Sequence, residues 1–437
     1  MPTLNAGLNY HGHVGNLQRS SGRILNLSEQ SLYLGGGAGA VAAGTVGLGA
    51  LQDPTVNFWS PLLPERPESV PAVNISSPLA DALFAPLVAR QEVASARFSA
   101  SATANHVLLE VAELHYDLLA AYANLIYRRE TAKEATELAR ITRAYADVKQ
   151  GREADAERAL TALRLIEREI HRAEEEVAVT STRLVRRLHL DPTLRLRPIE
   201  PGVEPVTLVD SQVPLEGLLQ VALRQRPEVG AENADVARAE ARHRQEVSRP
   251  WLPTLFLGFS GGAFGGGSNL VPPTLGNFGG RTDFDIGLFW TLENFGLGNL
   301  TQMRRRRAEL GQAVGERSQV FAAVRTEVSA ALAEVMASRP QIEITADRLR
   351  SAEEGFREDL IRIQNEVGRP IEAVNSLELL NEARLARVRA ITAYNKAEVR
   401  LFVSLGTPPP LSRPATDPLP AIPLASPPIR PIPTAAH

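Results

Sequence analysis

The sequence says one thing twice. Residues Pro2-Thr3-Leu4-Asn5-Ala6-Gly7-Leu8 return as Pro253-Thr254-Leu255-Phe256-Leu257-Gly258-Phe259, each opening a strand-like stretch with a Gly-rich segment behind it. Further along each copy, two long Ala-rich helical stretches flank a lone glycine. These are Lys149-Gln150-Gly151-Arg152 in the first copy and Glu366-Val367-Gly368-Arg369 in the second. Internal repetition constrains the whole architecture and is read before any local motif. A unit of about 200 residues is far longer than the roughly 20–45 of a solenoid repeat. A duplicated hairpin followed by a coiled coil predicts a pseudo-symmetric tube, not a catalytic domain.

The strand-like stretches carry a second message. Leu4, Ala6, Leu8 and Tyr10 alternate with Asn5, Gly7, Asn9 and His11. A period of two with one apolar face reads as a strand, and it suits a barrel with lipid outside and water inside. Its return strand is expected near residues 70–77, where Val73 and Ile75 alternate with Asn74 and Ser76. Residues 34–51 are uncharged and long enough to span a bilayer as a helix. Their many glycines make a Gly-rich β-hairpin or loop the better reading. In the second copy Leu255, Leu257 and Phe259 lead into the turn-forming residues 261–269. There Phe284, Ile286, Leu288, Trp290 and Leu292 alternate with Asp283, Asp285, Gly287, Phe289 and Thr291. Trp251 and Trp290, near strand ends, fit a membrane interface as well as an ordinary core.

Helices fill the rest. Residues 86–150 form one expected rod of roughly 95 Å, followed by a shorter helix over 154–189. Within the latter Leu163, Ile166, Ile170, Ala173, Val177, Thr180 and Leu184 step by threes and fours, a heptad seam. The second copy repeats the plan over 301–366 and 371–405, with a seam of Leu385, Val388, Thr392, Asn395, Val399 and Phe402. The expected division is a first repeat over 1–190 (hairpin region 1–77, helical hairpin 78–190) and a Pro-rich linker over 191–213. The second repeat covers 214–406 (helices 214–248, hairpin 251–295, helical hairpin 298–405). A Pro-rich, disordered tail over 407–437 follows.

Chemistry-bearing patterns are few. Net charge is -3 with 22% charged residues, which gives no electrostatic case for nucleic acid. The absence of Cys removes disulfides, thiolate chemistry and Cys-zinc sites, and it fits the bacterial envelope. No secretory signal pattern opens the chain at Met1-Pro2-Thr3. Gly35-Gly36-Gly37-Ala38-Gly39-Ala40 superficially resembles a dinucleotide turn, but no βαβ unit surrounds it. His11 and His13 share a strand face; with no third ligand nearby they read as exposed hairpin histidines. The run Arg304, Arg305, Arg306 and Arg307 is the densest charge in the chain. It reads as a solvated helix face or as a contact with lipid phosphates at a membrane boundary. No nucleophile–base, paired-carboxylate or metal-ligand constellation emerges, so no enzyme, cofactor or metal is expected.

Gly151 and Gly368 each sit where a long helix turns back into a short one, a reversal that glycine permits. Two similar apices on one subunit would also make a docking surface for a helical-hairpin partner.

The segment from Ala222 to Glu228, Ala-Leu-Arg-Gln-Arg-Pro-Glu, leads through a helix to Leu252-Pro253 before a strand. With residues 109–119 around Tyr116, the two glycine apices, and Ala393-Tyr394-Asn395-Lys396-Ala397 before Leu405-Gly406, it resembles the outer-membrane efflux protein family of TolC-like channels. The resemblance runs over nearly all of residues 1–406. It implies an α+β membrane protein, a homotrimer whose chains each give four strands to one 12-stranded transmembrane barrel in outer-membrane lipid. The barrel would continue into a periplasmic α-helical coiled-coil tunnel. Its apices would form the entrance and meet a periplasmic adaptor protein, behind which stands an inner-membrane transporter. The expected docking residues are Gly151, Arg152, Asp155, Gly368, Arg369, Glu372 and Asn375.

Two departures from the family stand out. The family opens with a signal sequence and two helices equivalent to residues 214–248, so an upstream extension encoding them is expected. It also often carries an acidic residue about six positions after the second apex glycine, where this chain has Val374. The reading is a passive export conduit of a tripartite efflux or type I secretion system. The rival is a periplasmic or fibrous coiled coil without channel activity, against which the amphipathic strand of residues 284–292 argues.

Overall fold

The computed structural model describes residues 2–18, 22–42, 44–46, 72–149, 151–200, 202–210, 212–270, 272–365 and 369–406. In chain order the strands and helices are β1 (Pro2–Gln18), β2 (Ile24–Ala42), β3 (Gly44–Val46), β4 (Ala72–Pro78), α1 (Leu79–Asp147) and α2 (Glu153–Arg187). Then come α3 (Leu215–Gln225), α4 (Pro227–Ser248), β5 (Thr254–Gly266), β6 (Gly276–Leu292), α5 (Leu297–Gln364) and α6 (Pro370–Ser404). Gly368 and residues 407–437, named above as second apex and tail, lie outside the described residues.

All described strands join one antiparallel sheet in the order β3-β2-β1-β6-β5-β4. The expected partner of the first strand is corrected here. β1 pairs with β2 on one side, Leu8 opposite Leu34, and with β6 on the other, Leu8 opposite Leu288. Residues 72–78 form a strand, β4, but it pairs with β5 and not with β1. The Gly-rich stretch expected as a hairpin or loop continues β2 as far as Ala42. Glycine has no side chain to alternate, so the period that betrays a strand vanishes there.

The helices follow the sequence closely. α1 has 69 residues and α5 has 68, each about 100 Å long at 1.5 Å per residue. Both α2 and α6 have 35. α1 begins before Pro86 because β4 runs directly into it, and the Leu79 amide donates to the Pro253 carbonyl at 3.1 Å. Proline occupies the first helical position of α4 and α6, where its missing N–H is no loss. α5 passes through Pro340, an interior proline that costs about 3 kcal/mol. Val335 and Ile342 on either side of it pack into the core and help offset that cost.

Two apolar cores hold the helices. One joins α1, α2, α5 and α6 through residues such as Leu138, Ile166, Phe356, Leu377 and Leu380. The other joins α3 and α4 to α5 and α6 through Leu218, Val229, Val328 and Leu401. The heptad seam residues of α2 and α6 are all buried or half-buried. No described helix is long and apolar enough to cross a membrane.

Candidate functional site

The sheet is the inverse of an ordinary soluble sheet. Asn9, His11 and His13 of β1 and Arg281, Asp283 and Asp285 of β6 are buried. On the opposite face Val14 is 59% exposed, Phe259 52% and Phe284 40%, with Ile286 exposed beside them. Register explains the grouping, since His11 lies opposite Asp285 and His13 opposite Asp283. His11 Nδ1 is 2.8 Å from Asp285 Oδ1, and His13 Nδ1 is 2.7 Å from Asp283 Oδ1. Arg281 Nε donates to the other Asp283 oxygen at 3.0 Å, and its guanidinium lies 5.3 Å from the centre of the Phe264 ring. The two histidines are therefore buried and paired, not the exposed hairpin residues the sequence suggests. That correction follows from strand pairing across about 270 residues, which local periodicity does not encode. Among the described residues no group of three or more His, Cys, Asp or Glu side chains is placed to hold a metal.

Where strands give way to helices, Trp290 Nε1 donates to the Trp251 carbonyl at 3.2 Å, and the Trp251 side chain stands exposed. Arg249 donates to Asp81 at 2.6 Å and to Glu246 at 3.0 Å, tying α4 to the start of α1. The four-arginine run divides into two kinds. Arg305 and Arg306 both reach Glu309, at 3.0 and 2.8 Å, and Arg306 also faces Glu246 of α4 at 4.0 Å. Arg304 and Arg307 point outward, exposed.

The quoted motifs meet midway along the helices. Lys396 of α6 reaches Asp117 of α1 at 2.5 Å. Arg226, at the α3–α4 corner, forks onto Glu228 and pairs with Glu327 of α5. The linker between the repeats is strapped onto α6. Asn395 accepts from the Val206 amide at 2.9 Å and donates to the Glu204 carbonyl at 2.8 Å. Glu398, 2% exposed, accepts from the Leu208 and Val209 amides at 3.0 and 3.2 Å. Tyr394 meets Thr207 at 2.9 Å. Burial, with the Glu398 carboxylate adding to it, raises the Tyr394 hydroxyl above its ordinary pKa and keeps it protonated. The functional reading of the sequence passed over Glu398. Its place one turn beyond Tyr394, on the seam side of α6, is the signal that marks it.

At the helical tips, the left-handed residue of the first turn is Lys149 (φ 64°) and not Gly151. Gly151 lies at a close approach instead. Its amide donates to the Tyr145 carbonyl at 2.9 Å, and a Cβ there would lie 3.1 Å from the Tyr145 Cβ. The Tyr145 hydroxyl in turn donates to the Ile363 carbonyl of α5 at 3.1 Å, so the end of α1 is bonded to the end of α5. Arg143 joins Glu153 at 2.6 Å and Asp147 at 3.2 Å, bracing the first tip. Arg152, Arg369 and Asn375 are exposed. Asp155 is half-buried and binds Arg158 at 3.1 Å, while Glu372 faces Arg362 at 3.8 Å. Val374 is buried in the four-helix core, so no acidic group stands at that position.

Residues 218–407 match the family described as outer membrane efflux protein. No curated protein matches the chain by sequence. Among solved structures, the outer membrane protein VceC of Vibrio cholerae is similar with a TM-score of 0.63 at 15% identity, over 77% of this chain and 78% of that one. The CmeC outer membrane channel of Campylobacter jejuni gives 0.62 at 12% identity, over 93% and 78%. The MtrE outer membrane channel of Neisseria gonorrhoeae gives 0.60 at 14%, over 77% and 80%. The chain thus shares the fold of these outer-membrane channels, and over residues 218–407 it matches the outer membrane efflux protein family.

Proposed function

We propose that three copies of this chain close their sheets into one barrel in the outer membrane and continue it as a helical tunnel through the periplasm. Solutes leave passively through the tube, and an inner-membrane transporter coupled through an adaptor supplies the energy. The protein is a conduit, not an enzyme. The observation that carries this reading is the inverted sheet, with His11, His13, Asp283 and Asp285 buried and Val14, Phe259 and Phe284 exposed. Apolar side chains facing outward and polar ones inward are stable only where the surroundings are lipid. An open six-stranded sheet also leaves two edges, which a trimer would close against one another. In this arrangement Trp251, Trp290, Arg304 and Arg307 lie at the periplasmic membrane boundary, where indoles and arginines meet headgroups. The paired helix lengths and recurring Pro-Thr-Leu strand starts support an origin by internal duplication.

The helical tips, with Gly151, Arg152, Asp155, Arg369, Glu372 and Asn375, form the surface that meets the adaptor. The test uses Gly151→Leu in cells carrying the adaptor and transporter, with trimer yield and adaptor crosslinking measured together. Normal trimers with lost crosslinking and lost efflux are expected. Intact crosslinking and transport would show that the tip glycine is only a turn former. A chain that remains monomeric and outside the outer-membrane fraction would overturn the channel reading itself.

A further inference from the structure

We propose that the turn at Phe295, with the stripe of Leu297, Leu300, Arg304 and Arg307 that follows it on α5, is a binding site for an anionic phospholipid of the periplasmic leaflet of the outer membrane. Phe295 and the leucines take the acyl chains, and the two arginines take the phosphate. The inference rests on the conduit reading above and names the lipid that its membrane boundary selects.

The backbone supplies the first observation. Between β6 and α5, Asn294 (φ 52°, ψ 48°), Phe295 (φ 56°, ψ 33°) and Gly296 (φ 84°) are all left-handed. Glycine adopts that region freely and asparagine tolerates it, but a phenylalanine there is an outlier. The other copy shows that the fold does not require it. β4 passes into α1 through Pro78 in the ordinary extended region (φ -63°, ψ 120°), with no left-handed residue at the junction. The strained turn is pinned by the buried Asn299, whose side-chain oxygen accepts from the Glu293 amide at 2.8 Å. It leaves the Phe295 side chain 54% exposed. Strain kept where an unstrained route exists points to a function.

The second observation is independent of the first. Leu297, Leu300, Arg304 and Arg307 recur at i, i+3, i+7 and i+10, so they share one face of α5, and all four are exposed. Along the axis the order is apolar then cationic, with Arg304 about 10 Å beyond Leu297. A helix leaving a leaflet meets its surroundings in that order, acyl chains first and headgroups next. Arg305 and Arg306, off this face, are paired with Glu309, whereas among the described residues no ion pair holds Arg304 or Arg307. From residue 293 to residue 308 Glu293 is the only acid against four arginines. Charge complementarity therefore selects an anionic headgroup. The exposed Trp251 side chain, at the same junction, adds an indole of the kind that settles among headgroups.

The chain has no cysteine, so a single introduced cysteine carries an unambiguous label. Phe295→Cys and, as a reference on the outward face of the sheet, Phe284→Cys are labelled with bimane in the full-length protein. Both are placed in phosphatidylcholine vesicles containing phosphatidylglycerol, and nitroxide on the acyl chains is expected to quench both labels. Leu300→Cys replaces Phe295→Cys if that variant fails to fold. Lipid retained by the protein from an equimolar mixture should be enriched in phosphatidylglycerol, and Arg304→Gln/Arg307→Gln should lower that enrichment by about five-fold or more. Arg305→Gln should leave it unchanged. Phe295→Gly, which relieves the left-handed strain, should raise the thermal midpoint in detergent and still lower the amount of lipid retained. Quenching at Phe284 without quenching at Phe295 would mean that water or a second copy covers the turn, and the site falls while the conduit stands. Equal retention of the two lipids, or a Phe295→Gly protein less stable in detergent, has the same consequence. If neither label is quenched, the sheet is not in lipid, and the conduit falls together with the site.

Discussion

The sheet and the helical bundle of this chain obey opposite rules. In the bundle, Leu138, Leu377 and Leu380 are buried and the arginines and glutamates lie mostly outside. In the sheet, aspartates and histidines are buried and Phe284 and Ile286 lie outside. The hydrophobic effect is the same in both, since apolar area leaves water wherever it can. What differs is where the water is. On the proposed barrel reading, the bundle is built for water around it and the sheet for water within it, so one chain would record two solvents along its length.

The strongest way to break the comparison is to cut the bundle core. Leu377→Ala should cost about 2–5 kcal/mol, the range for a fully buried leucine, read as a drop in the urea midpoint of the helical signal. Ile286→Ala on the outward face of the sheet should cost clearly less in detergent, because its neighbours there are not protein. Equal losses at the two sites would sink the inversion. A second test reverses the chemistry. Ile286→Lys should cost about 2–4 kcal/mol when unfolding is measured from lipid bilayers, whereas Leu165→Lys, at an exposed position of α2, should be nearly neutral.

A smaller effect concerns the strap on α6. Removing the Glu398 carboxylate by Glu398→Ala strands two amide donors, those of Leu208 and Val209, at about 1–3 kcal/mol for a buried unpaired group. Limited proteolysis should then cut within residues 191–213 well before the helices. A linker as resistant as the wild type would show that the strap is not held by this acid. The smallest effect belongs to the tips. Tyr145→Phe deletes one inter-helix hydrogen bond and should cost about 0.5–1.5 kcal/mol, visible as faster amide exchange at the ends of α1 and α5 with the barrel unchanged.

The sequence was legible wherever side chains keep time with the backbone. α3, α4 and α6 fall within a few residues of the expected bounds, because Pro214, Pro227 and Pro370 mark helix starts. The alternation of residues 283–292 marks a strand, but β6 begins earlier, at Gly276, and β5 runs on to Gly266 through residues expected as a turn, because glycines there carry no alternating side chains. Two things were hidden. β2 lost its period to glycine, so its pairing with β1 was assigned to residues 70–77 instead. The His–Asp pairs depend on register between strands far apart in sequence, and no local pattern carries that. The turn at the first tip was legible as a turn but not in its mechanism. The positive φ falls on Lys149, while Gly151 sits where a Cβ would press on Tyr145.

The two long helices differ by a single residue, 69 against 68. At 1.5 Å per residue they end at nearly the same depth, and the Tyr145 hydroxyl bonded to the α5 carbonyl holds those ends level. The pair therefore acts as a ruler with two matched arms. A heptad inserted into one arm alone would step the rim by about 10 Å, whereas the same insertion in both would lengthen the reach and keep the rim flat. Depth is thus a quantity the chain can change only in duplicate.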